Sequence, residues 1–185
     1  MLKKVLCIFA IGIFVFSFVG CGSSDKESPS KATSTKQTKK TVAPKPKTLE
    51  SLVAENFKDG KIIKNGDELT IQFTGDNFSE DAFVITGLND VIQGLNKIYK
   101  NKEFKKFKII HVNIMAKFTD KYGNNNTGTG IGLTFDQSEL QKVNDFGNIV
   151  PEQLIKLQGS YRTSSASSIR QNLSPENYKI LYPNN

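Results

Sequence analysis

Apolar residues recur at a helical interval at Leu49, Leu52, Val53 and Phe57, and Thr48 stands before them as a residue able to cap a helix start. A short amphipathic helix is predicted there. In "KIIKNGDELTIQFT", residues 61–74, the period changes, and Leu69, Ile71 and Phe73 alternate with Thr70, Gln72 and Thr74. Such alternation places one face of a strand in the core and the other in water. Asn65-Gly66 divides the segment into two strand-forming runs, and that pair favours a tight hairpin because both residues tolerate positive φ.

From Ser79 to Lys100 the helical period returns, with apolar residues at 84, 88, 91, 95 and 98. Gly87 and Gly94 fall on nearly the same stripe of this helix. Glycine costs a helix about 1 kcal/mol relative to alanine, so the two predict either close backbone approach to a sheet or a flexible, kinked helix. "FKIIHVNIMAKF", residues 107–118, reads as a long strand with Ile110, Val112, Ile114, Ala116 and Phe118 on one face and His111, Asn113 and Lys117 on the other. After the turn "TDKYGNNNTGTG" a fourth strand turns Ile131, Leu133 and Phe135 inward. Two hairpins separated by a helix predict an α+β fold, an antiparallel four-stranded sheet with helices packed on one face.

Asp136 with Glu139 three positions on predicts a reciprocally capped helix, and Pro151 opens another through Leu154 and Leu157. "SYRTSSASSIRQN" carries no periodicity and predicts an irregular segment. Ser174-Pro175-Glu176 predicts a final helical turn that docks through Tyr178, Leu181 and Tyr182.

Composition adds what lies before residue 48. Only 37% of the 185 residues are hydrophobic, against roughly 45–50% in ordinary globular chains, so part of the chain builds no core. The N-terminus "MLKK" precedes fifteen apolar or small residues, Val5 to Val19. A positive start and a run shorter than the roughly 20 residues of a membrane span match a signal peptide over residues 1–20. The run closes on Phe18-Val19-Gly20-Cys21, which resembles the lipobox of bacterial lipoproteins. Phe18 departs from that pattern, in which leucine is usual. The resemblance implies cleavage between Gly20 and Cys21 and a diacylglyceryl thioether on Cys21, which would hold the protein to membrane lipid at the extracytoplasmic face. A thiolate is the nucleophile that such lipid transfer requires, and two or more acyl chains anchor stably where one is marginal. Cys7 leaves with the signal, so Cys21 has no disulfide partner.

The chain resembles small lipoproteins of the Gram-positive type, and its strand-turn-strand "IIHVNIMAKFTDKYGNNNTGTGIGLTF" is similar to domains of uncharacterised lipoproteins of such bacteria. Neither resemblance carries catalytic residues.

Charge separates the chain again. Without Lys3 and Lys4 the net +7 becomes +5, and residues 22–47 hold seven lysines against Asp25 and Glu27, which accounts for all of it. Residues 48–185, the single folded domain, are neutral. The Lys/Ser/Thr/Pro-rich stretch 21–47 has almost no large apolar residue and predicts a disordered linker spanning roughly 25–30 Å.

Candidate chemistry is sparse. His111 is the only histidine, and clusters of His and Cys fit for zinc are lacking, so no metal and no cofactor is expected. Ser164 to Ser168 have neither a base nor a nucleophile elbow. Glu80, Asp81 and Asp90 are the carboxylates that would serve a cell-wall hydrolase, although acids early in a helix more simply complement its dipole. Asp120 and Asn124 to Asn126 offer oxygen ligands without the spacing of a calcium loop.

One constellation stands apart. Lys97, Lys100, Lys102, Lys105, Lys106 and Lys108 crowd within twelve residues, relieved only by Glu103. Lysines near a helix C-terminus favour its negative pole, but six exceed that need and suit an anionic partner such as a wall polymer, phospholipid or acidic protein patch. Nucleic acid is not expected outside the cytoplasm without a recognised motif. The leading expectation is a non-enzymatic binding or interaction module at the cell envelope; the alternatives are a carboxylate-dependent hydrolase and an envelope-structural protein.

Overall fold

The computed structural model describes residues 46–76 and 79–183. The signal segment, Gly20, Cys21 and the linker as far as residue 45 lie outside the described residues. A compact unit runs from Pro44 to Asn185, and every residue of the core described below lies inside it.

Helix α1 (Leu49–Asn56) starts where expected, because the Thr48 side chain accepts from the Ser51 N–H. Strands β1 (Lys61–Asn65) and β2 (Glu68–Thr74) form the first hairpin, with Asn65 paired to Glu68. The two-residue turn is therefore Gly66-Asp67, one position beyond the Asn-Gly pair as read. Only Gly66 takes positive φ, at 59°, as a turn with glycine in its first central position requires.

Helix α2 (Glu80–Ile98) is capped by the Ser79 hydroxyl, which accepts from the Ala82 N–H. The predicted stripe is its buried face: Val84, Leu88, Val91, Leu95 and Ile98 are all fully buried. Nineteen residues of helix run about 28 Å, enough to return the chain along the sheet to the end where β2 began. The next strand, β3 (Ile109–Thr119), therefore lies parallel to β2, and β4 (Asn125–Asp136) pairs antiparallel to β3.

The sheet order is β1-β2-β3-β4-β5, where β5 is the short strand Ser164–Ser165 against Ile131 and Gly132. The expected four-stranded antiparallel sheet is thus corrected to a five-stranded mixed one. Two hairpins joined by a helical crossover bring parallel strands together at the join, because the helix reverses direction once and the tight turns once each. The fifth strand had no periodic signal, since two residues that pair through their backbone need none. The α+β class stands.

Aromatic and aliphatic side chains of β2, β3 and β4 meet α1 and α2 in one core; Phe57 of the α1 end packs on Phe73 with ring centroids 5.1 Å apart. A Cβ on Gly87 would lie 2.8 Å from Ile114 of β3, whereas one on Gly94 would lie 2.0 Å from the Phe57 ring. Close approach explains both glycines, but only Gly87 approaches the sheet; Gly94 admits the neighbouring helix end. Against the other flank of α2 lie α4 (Pro151–Lys156) and α6 (Pro175–Leu181). Between β4 and α4 stands the single turn α3 (Gln137–Leu140), and α5 (Ser167–Gln171) follows β5. The reciprocal cap expected at α3 is not formed: Asp136 makes no side-chain cap bond, and Glu139 pairs with Lys142 at 2.6 Å instead.

Candidate anion-binding surface

The lysine cluster is laid out by two buried phenylalanines. After α2, Asn101 Oδ1 accepts from the N–H groups of Glu103 and Phe104, which starts a 3-10 turn over Phe104–Lys106. Phe104 is fully buried and Phe107 nearly so. Anchored at 104 and 107, the segment has only outward directions left for Lys102, Lys105, Lys106 and Lys108, and all four are exposed, as are Lys97 and Lys100. The backbone N–H groups of Lys108 and Ile109 donate to Asp67 O, and Gln137 N–H donates to Lys108 O. Those bonds fix the cluster at the end of the sheet that also carries the β1–β2 turn and α3.

Charge pairing then divides the six. Lys108 Nζ lies 2.7 Å from Asp67, and the hydrogen bond between them raises the lysine pKa and lowers that of the carboxyl. Lys100 Nζ lies 5.1 Å from the centre of the Tyr99 ring. Glu103, the one acid within the cluster, is drawn away: its carboxylate is 2.6 Å from Lys64 Nζ, which also contacts Glu50. Among the described residues, Lys97, Lys100, Lys102, Lys105 and Lys106 form no ion pair. Lys64 could not have been matched to Glu103 from sequence, because 39 residues separate them.

A cavity of about 140 Å³ opens beside Lys105, lined by Tyr99, Phe104, Gln137, Leu140, Gln141 and Val143. Gln137 is 5% exposed, and its Oε1 is the buried side-chain polar atom that lacks a hydrogen-bond partner among the described residues. In the sequence Gln137 is one polar residue at a helix start, and nothing in its neighbours signals its burial.

The other candidates are dispersed. Asp81 accepts from the backbone N–H and hydroxyl of Ser174 at 3.0 and 3.1 Å, tying α2 to the start of α6. Hydrogen bonds from Asn177 and then Ser174 hold its pKa below the ordinary carboxylate value. Glu80 lines a second groove of about 310 Å³ with Phe83, Lys117, Phe118 and Ile169. Asp90 stands ten residues further along α2, about 15 Å away, where burial and then the charge of Asp76 raise its pKa. The three acids expected of a hydrolase do not converge. His111 lies on the uncovered sheet face, its Nδ1 3.1 Å from Thr134 Oγ1 and its Nε2 3.5 Å from Glu68. In the β3–β4 turn, Asp120 accepts from the N–H groups of Tyr122 and Asn124 and from the Asn124 amide, so its oxygens are turned onto the loop itself. That turn is shorter than read, since β4 already begins at Asn125.

Comparison with protein-family models, curated proteins and solved structures finds no match to this chain. Chemistry at the residues is therefore the ground for the functional reading.

Proposed function

We propose that this protein is a lipid-anchored binding module on the extracytoplasmic face of the cell membrane, which holds an anionic polymer of the envelope on its lysine surface. The observation that carries the reading is the separation of Glu103 from its neighbouring lysines by Lys64. It leaves Lys97, Lys102, Lys105 and Lys106 exposed at one end of a domain whose formal charge is zero. Such a local excess attracts polyanions, and its reach is about a Debye length of 8 Å at physiological salt. Phe18-Val19-Gly20-Cys21 and the lysine-rich linker support the location.

Two experiments test this. Palmitate is expected to label the wild type and not Cys21→Ala; equal labelling of both would remove the anchor. Binding of the 44–185 unit to an anionic polymer is expected to weaken with added salt and to be lost on replacing Lys97, Lys102, Lys105 and Lys106 by glutamine. Lys108→Gln, whose side chain is already paired with Asp67, is expected to bind nearly as well as wild type. Undiminished binding by the fourfold variant would refute the lysine surface, and consumption of the polymer would favour a hydrolase.

A further inference from the structure

We infer that the lysine end of the domain docks on anionic lipid headgroups of the bilayer that holds its own anchor, which gives the surface a partner besides the polymer. This inference rests on the lysine surface and the Cys21 anchor proposed above. The place where the chain enters the domain supplies the reason. Helix α1 begins at Leu49, and Glu50 in its first turn contacts Lys64 Nζ. The same Nζ lies 2.6 Å from Glu103, the acid inside the lysine cluster. One lysine thus ties the start of the domain to the cluster. The other end of the sheet is distant, because β3 leaves the cluster at Ile109 and runs eleven residues, about 35 Å, to the β3–β4 turn.

Residues 22–47 join Cys21 to the cap of α1, and a coil of that length spans roughly 25–30 Å. That is shorter than β3, so the lysine end is the one the tether holds nearest the bilayer. Charge agrees with this orientation. Glu50 and Glu103 share Lys64, Asp67 takes Lys108, and Glu139 takes Lys142. Asp145 is turned onto its own loop, accepting from the Gly147 N–H and the Asn148 amide. Lys97, Lys100, Lys102, Lys105 and Lys106 are left exposed and without an ion pair among the described residues. Each lysine brought close to an anionic membrane strengthens attachment about fivefold. The tether makes that encounter intramolecular, so a modest attraction suffices to dock the domain.

The test uses the full mature lipidated protein, reconstituted through its anchor into phosphatidylcholine vesicles with and without phosphatidylglycerol. Once Cys21 carries lipid no thiol remains, so Ser138→Cys and Tyr122→Cys each accept a single fluorophore. Ser138 is exposed at the lysine end, next to Gln137, whose N–H donates to Lys108 O. Tyr122 is exposed in the β3–β4 turn. With phosphatidylglycerol present, a quencher carried on lipid headgroups is expected to quench the label at 138 and to spare the label at 122. The contrast should vanish in phosphatidylcholine alone and at high salt. Replacing Lys97, Lys102, Lys105 and Lys106 by glutamine one after another should lower the ratio of docked to free domain about fivefold per lysine. Because the contrast is read with every lysine present, it does not depend on the multiple variant folding. Equal quenching of the two labels on anionic vesicles, or stronger quenching at 122, would overturn the docking; if the same protein still bound soluble anionic polymer, the proposed function would stand. Loss of both would overturn both, and a protein not retained on the vesicles would remove the anchor and the docking with it.

Discussion

Replacing Gly94 by alanine sets two effects of opposite sign against each other. In mid-helix, alanine is favoured over glycine by about 1 kcal/mol. Yet the new Cβ would lie 2.0, 2.4 and 2.5 Å from three carbons of the Phe57 ring, far inside van der Waals contact. Phe57 is 3% exposed and packs on Phe73, so the ring has little room to retreat. Overpacking of a filled core costs about 1–3 kcal/mol, and an overlap this deep belongs at the upper end. The net expectation is a loss of about 2 kcal/mol, read in urea as a midpoint lowered by about 1 M with an unchanged slope. Phe57→Leu alone should also destabilise, but the double variant should lose less than the two added together, with a coupling of about 1–3 kcal/mol. A more stable Gly94→Ala, or strict additivity with Phe57→Leu, would refute the close approach and leave helix propensity in command.

Three further outcomes follow from the structure. Gly130→Ala would set a Cβ 2.6 Å from Phe83 and 3.0 Å from Ala116, and is expected to lower stability by about 1–3 kcal/mol in the same urea assay. Asp90 has a folded-state pKa above its unfolded value, so its ionisation opposes folding as pH rises past about 4. Asp90→Asn should therefore raise the melting temperature at pH 7 and lose that advantage at pH 3; an advantage independent of pH would contradict the burial argument. Asp81 behaves oppositely: its lowered pKa adds stability above about pH 4 that is lost as pH falls through the folded value. Melting temperatures from pH 5 down to pH 2 should consequently fall less steeply in Asp81→Asn than in wild type.

Legibility followed distance along the chain. The Ser79 cap, the stripe from Val84 to Ile98 and the inward positions of β3 were readable because each depends on neighbours within one turn or one pleat. Gly87 and Gly94 signalled an approach but not what approached, since Ile114 and Phe57 are tertiary neighbours. Asp136 and Glu139 carried the letters of a reciprocal cap, yet Lys142 took the glutamate. The lysine cluster was visible as a run, whereas the lysine that removes Glu103 and the amide buried beside Lys105 were not.

The kinds of element, the face each buries and the segregation of positive charge into residues 22–47 are written in the local order of residues, because periodicity and composition are properties of short stretches. Only the closed core makes β2 and β3 run parallel, adds Ser164–Ser165 to the sheet, and leaves five of the six clustered lysines without an ion pair among the described residues. Strand direction depends on how far a 19-residue helix carries the chain back, and ion pairing on which distant side chains arrive together. Both are settled only when the core closes.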